Sequence, residues 1–174
     1  MATSFQITGL KETLQVFQDL ENEIGDKKAR SKVLIPAVKE AMKPVLAMAK
    51  GLSPKDTGLL EKTLTIVGRR PSNKDRKSKY ITKSDAVIAI VTTKPIPKKL
   101  KKQTVGMTRS QKKKFYESKN RLYDARAVAN EFGTANMSAK PFMRISLESQ
   151  ASMVATKLGE IINQNILKYR SKSL

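Results

Sequence analysis

Between Arg69 and Arg126 the chain carries 19 Lys or Arg against 4 Asp or Glu. No fold can bury such a segment unaided, because an unpaired charge is costly to remove from water. The hydrophobic core must come mainly from the flanks, which hold 16 basic and 11 acidic residues and read as ordinary globular sequence. The formal charge of +20 is thus concentrated in the middle of the chain, and only 39% of residues are hydrophobic. At 174 residues the length is that of one ordinary domain, expected over 1–170. A modest core, a long solvated basic insertion within 69–126 and a frayed tail at 171–174 complete the expectation.

The flanks show clear periodicity. Phe5 and Ile7 alternate up to Gly9, which suggests a short first strand. Leu10, Leu14, Phe17, Leu20 and Ile24 then fall at helical spacing, and Gly25 stops that helix. Val33, Ala37, Ala41, Val45, Met48 and Leu52 form a second stripe. Pro36 and Pro44 interrupt it, each removing a backbone donor and bending the helix. "GLSPKDTG" (51–58) supplies the turn that ends it. "LTIVGRR" (64–70) and "DAVIAIVTT" (85–93) are rich in β-branched residues and read as strands. "KPIPKKLKKQ" is too basic and proline-broken to pack. Beyond it, Thr108 or Ser110 caps a short helix over "QKKKFYESKN", and Asp124 caps "ARAVANEF" with Gly133 at its C-terminal end. Val154, Leu158, Ile161, Ile162, Ile166 and Tyr169 make the stripe of a last helix that starts just after Pro141. The expected fold is α+β: helices on one face of a small, mainly antiparallel sheet, with a long basic insertion and a long C-terminal helix.

The chain has no histidine and no cysteine. Thiolate chemistry, disulfides and the commonest general base and metal ligand are therefore unavailable, as suits assembly in a reducing cytoplasm. Asp56 and Glu131 are the only acids in distinctive local sequence, and neither has the spacing of a metal or acid–base motif. Ser-Lys neighbours at 53–55 and 138–140 are commonplace in a lysine-rich chain. No catalytic residue, cofactor or metal is expected. The start "MATSFQITGL" lacks the basic and apolar regions of a signal peptide. The longest apolar runs, "VLIPAV" and "AVIAIV", fall far short of the ~20 residues of a membrane span. A soluble protein with no membrane partner is expected.

Lys98, Lys99, Lys101, Lys102, Lys112, Lys113 and Lys114 could neutralise phosphates, or else meet an acidic protein surface. Tyr80, Phe115, Tyr116 and Tyr123 are sparse for stacking on bases, and no zinc-finger or RNA-recognition signature is present. That sparseness tilts the expectation towards docking on protein.

The stretch "VANEFGTANMSAKPFMR" (128–144) reads as a joint. Phe132 is apolar, Gly133 permits a positive φ, and Thr134 follows in the reversal. Ser138 is a candidate cap for the last helix, Pro141 suits its first turn and Phe142 anchors inward. Glu131 has two candidate sets of backbone donors: the "SPKDTG" turn with Asp56, Thr57 and Gly58, or the start of the last helix.

Three of these pieces, in order, resemble a phage protein family. "GLSPKDTGLLEKTL" resembles its "A-P-x-D-T-G-x-L-x-x-S-[IL]", "VANEFGT" its "Y-A-x-x-V-E-F-G-T", and "SAKPFMRISLE" its "P-A-x-P-F-L-R-P-A-L". "ITGLKETLQVFQDL" is similar to the family's "G-L-x-E-L-x-x-x-L" start. The family is the neck or tail-completion group of long-tailed bacteriophages, comparable to lambda Z protein. The resemblance covers 6–68 and 125–170; the basic middle is this chain's own. It departs where Val128-Ala129-Asn130 replaces an aromatic-rich lead and Ser138 replaces a proline. The resemblance implies a non-enzymatic virion protein that helps finish the tail and join it to the head. It further implies a homo-oligomeric ring, sixfold by analogy, around the DNA channel, contacting other neck, head-completion and tail proteins. A basic nucleic-acid-binding protein without sequence preference is the alternative.

Overall fold

The computed structural model describes residues 10–55, 58–122 and 126–173. The fold is α+β, with a two-stranded antiparallel sheet among many helices. The expected first strand at Phe5–Gly9 lies outside the described residues.

In chain order the helices begin with α1 (Leu10–Ile24) and α2 (Asp26–Ala29). A π-helical turn (Arg30–Leu34), α3 (Ile35–Ala41), α4 (Lys43–Leu52) and α5 (Leu59–Thr63) follow. Gly25, at φ 81°, separates α1 from α2 as its position after the apolar stripe suggests. The prolines act as punctuation. Pro36 sits in the first turn of α3, directly after the π turn. Pro44 falls in the first turn of α4, where an absent N–H leaves nothing unpaired, and the break itself comes at Met42. Leu52, expected on the buried stripe, is exposed at the end of α4.

β1 (Leu64–Arg69) and β2 (Ile88–Thr93) form the sheet. Then come α6 (Lys98–Gln103), α7 (Arg109–Ser118), α8 (Arg126–Phe132) and α9 (Met143–Ser173). One expectation needs correcting here. "KPIPKKLKKQ" is not too broken to order: its last six residues are α6, which begins once Pro97 has been placed at the cap in extended conformation. α9 extends as far as Ser173.

The chain divides into two compact units. One takes the residues up to Pro44, Ile66–Ile90 and those from Gln150 on; the other takes Val45–Thr65 and Val91–Ser149. In the first, Phe17 and Leu20 of α1 pack with Ala29, Val33 and Ala37 and with Ile162 and Ile166 of α9. Ala29 and Ala37 are wholly buried, and their small side chains let neighbouring backbones approach closely. Gly68 of β1 leaves room for side chains of α3: a Cβ there would come within 3.0 Å of the Lys39 side chain and 3.4 Å of the Ile35 side chain. The loop after β1 is pinned by Asp75, which accepts two hydrogen bonds from the Arg69 guanidinium, at 2.5 and 2.9 Å, and one from the Ser72 N–H at 2.7 Å. The Arg69 guanidinium first, then the Ser72 hydroxyl and N–H, hold the Asp75 carboxyl well below the usual carboxylate range.

In the second unit Ala49, Leu60, Leu64, Leu122, Ala127 and Phe142 make the core, flanked by Leu46, Leu59, Val91 and Met143. Leu122 belongs to the basic middle segment, as do the buried Thr104 and Tyr116. The insertion is therefore not a solvated loop throughout; it sends apolar anchors inward and leaves its lysines outside. Among the described residues no helix is long and apolar enough to cross a membrane.

Candidate functional site

Two constellations stand out, both in the second unit. The first is the joint between α8 and α9. The Ser146 N–H bonds the Phe142 carbonyl at 3.2 Å, which makes Phe142 the cap residue of α9. Phenylalanine has no side-chain acceptor, so the cap must come from elsewhere. It comes from Glu131, eleven residues earlier. Glu131 Oε2 accepts from the Phe142 and Met143 N–H groups, both at 2.9 Å, and Oε1 accepts from Arg144 N–H at 3.0 Å. Three of the donors that open any α-helix are thus satisfied by one carboxylate, whose charge also opposes the positive end of the helix dipole. Of the two donor sets open to Glu131 in the sequence, the last helix supplies these bonds. Asp56 and Thr57 lie outside the described residues. Gly58 is left-handed at φ 65° and leads into α5.

The chain between Glu131 and Phe142 is folded tightly enough to bring them together. Gly133 has φ 76°, and a Cβ on it would lie 2.9 Å from the Met137 carbonyl oxygen and 3.0 Å from the Ala139 nitrogen. Thr134 and Met137 form an isolated antiparallel bridge, with Thr134 N–H on Met137 O at 2.8 Å. The Lys140 N–H bonds the Asn130 carbonyl at 2.7 Å. Ser138, the candidate cap, is exposed and caps nothing among the described residues; Glu131 takes that role. Pro141 is half-buried, and Phe142 is 1% exposed. Phe132 points the other way, 68% exposed, with the Arg144 guanidinium 5.5 Å above its ring.

The second constellation is the α6–α7 pair. Lys98, Lys99, Lys101 and Lys102 are exposed on α6; Lys113 and Lys114 are exposed and Lys112 half-buried on α7. The pair is tied by a buried contact between Thr104 Oγ1 and the Tyr116 hydroxyl, at 2.7 Å, and Thr104 Oγ1 also donates to the Lys101 carbonyl. Thr108, of the two candidates, caps α7. It forms a reciprocal box in which its hydroxyl accepts from Gln111 N–H and the Gln111 side chain accepts from Thr108 N–H. The box is legible as Thr-x-x-Gln once Gln111 is weighed along with Thr108. The Thr104–Tyr116 tie has no comparable signature, since twelve residues separate its members.

Comparison with protein-family models, with curated proteins and with solved structures finds no match to this chain.

Proposed function

We propose that this chain is a structural subunit of the neck of a long-tailed bacteriophage, acting in tail completion and head–tail joining as part of a ring around the DNA channel. One observation carries the reading. Glu131, the single carboxylate of the "NEFGT" segment, spends both oxygens on the backbone of "PFMR". Two motifs that resemble the family's as separate strings are the two halves of one rigid joint. A carboxylate held by three N–H donors and 6% exposed serves geometry better than proton transfer, which favours a non-catalytic role. The proposed location is the virion, after assembly in the host cytoplasm.

Cryo-electron microscopy of particles from cells expressing a tagged copy tests this. Density for the chain between head and tail is the expected result. Its absence from purified particles that are complete and infectious would overturn the reading.

A further inference from the structure

We propose that the exposed face of α6 and α7 is a docking surface for the sugar–phosphate backbone of duplex nucleic acid, which it grips without reading sequence. This goes beyond the neck reading and stands on different residues.

Residues 94–121 hold eleven Lys or Arg and a single acid, Glu117. That acid is already engaged, with Arg126 Nη2 2.5 Å from its Oε1. Lys98, Lys99, Lys101, Lys102 and Lys114 are exposed, and neither they nor the half-buried Lys112 makes an ion pair among the described residues. The scaffold beneath them is ordered by the Thr104–Tyr116 tie and the Thr108 cap, so these cations are displayed from fixed helices. At ~1.5 Å per residue, α7 spans about 15 Å, long enough to follow several phosphates of a duplex that carries a charge every ~1.7 Å of axis.

The chemistry of the surface separates the candidate partners. Single strands are held by aromatic platforms. Here Tyr116 is buried, and Phe115 is half-buried with its ring edge-on to Tyr116, 5.5 Å between centroids. Protein interfaces are depleted in lysine and built around apolar or aromatic anchors. Val105, in the turn between the helices, is the one large apolar side chain of the pair that stands exposed. Phosphates need neither stacking nor apolar anchors. Lysine, a mobile point charge, serves them without base-specific geometry.

The test is fluorescence anisotropy of a labelled 30-base-pair duplex with the full chain between 50 and 200 mM salt. With about five phosphates neutralised, the log–log slope is about −4.5, a loss of roughly 500-fold in affinity over that range, equal for unrelated sequences. Replacing Lys98, Lys99, Lys101 and Lys102 by Gln, which keeps helix propensity, flattens the slope by about 0.9 for each phosphate no longer neutralised. The same change at the exposed Lys27, Lys28, Lys32 and Lys55 leaves the slope unchanged. Thermal unfolding confirms that each variant folds; if the α6 variant does not, Lys112→Gln with Lys114→Gln carries the same test. Equal flattening by the control set would overturn the proposal, since net charge alone would then explain binding. So would unchanged slopes in both helix variants, or an α6 variant that keeps duplex binding but no longer binds polyglutamate. Particle localisation is scored separately, so failure here leaves the neck reading standing, and the converse holds.

Discussion

Glu131 and Gly133 do different jobs within three residues of each other. Glu131→Gln keeps the shape but halves the number of acceptor oxygens and turns an amide NH2 towards backbone donors. Isosteric replacement is therefore not neutral here: one or two of the N–H groups at Phe142, Met143 and Arg144 lose their acceptor, at about 1–3 kcal/mol. Chemical denaturation of the variant measures this, and an unchanged midpoint would show that the cap contributes nothing. Gly133→Val suffers twice. It puts a β-branched residue at φ 76° and drives its Cβ into the Met137 carbonyl. Strain alone costs on the order of 1–3 kcal/mol, and the clash adds to it. Gly58 and Gly106 have similar φ values but nothing within 4 Å of the added carbon. Substituting Ala at those two positions costs less than at Gly133; equal losses in thermal unfolding would refute the steric part.

Among the elements, α6 and α7 are too short to be stable alone, at six and ten residues. Their order depends on the capping box and on the Thr104–Tyr116 hydrogen bond. A double-mutant cycle with Thr104→Val and Tyr116→Phe isolates that bond. A coupling on the order of 1 kcal/mol is expected from partners sharing a buried hydrogen bond. Strictly additive single losses would mean that the hydroxyls are neighbours without mutual dependence. The α8–α9 junction follows the same logic at larger scale, since a thirty-one-residue helix is started by a side chain of the helix before it.

For the whole molecule, the charge sets the terms. A net +20 disfavours close approach of identical subunits unless something acidic lies between or beside them. The proposed ring therefore forms with its neighbours or with nucleic acid present, while the isolated chain stays monomeric at low salt. Native mass spectrometry of the purified protein and of isolated necks checks this, with six copies expected in the neck. A single copy per neck would exclude the ring.

Legible in the sequence alone were the α+β class, the apolar stripe of α9, the stop at Gly25 and the exclusion of most lysines from the core. Those features follow from local rules: periodicity, backbone permissiveness and the cost of burying charge. Which acceptor caps α9, and whether the basic middle would fold, was decided only in three dimensions. Phe142 at a cap position is locally wrong and becomes right only when Glu131 arrives from α8. "KPIPKKLKKQ" reads as unable to pack because lysine and proline dominate its composition. It takes up α6 because Pro97 sits before the helix rather than in it, and because Thr104 at its far end finds a hydroxyl twelve residues away. Pairings between residues distant in the chain leave no periodic trace, and these two set the shape of both candidate sites.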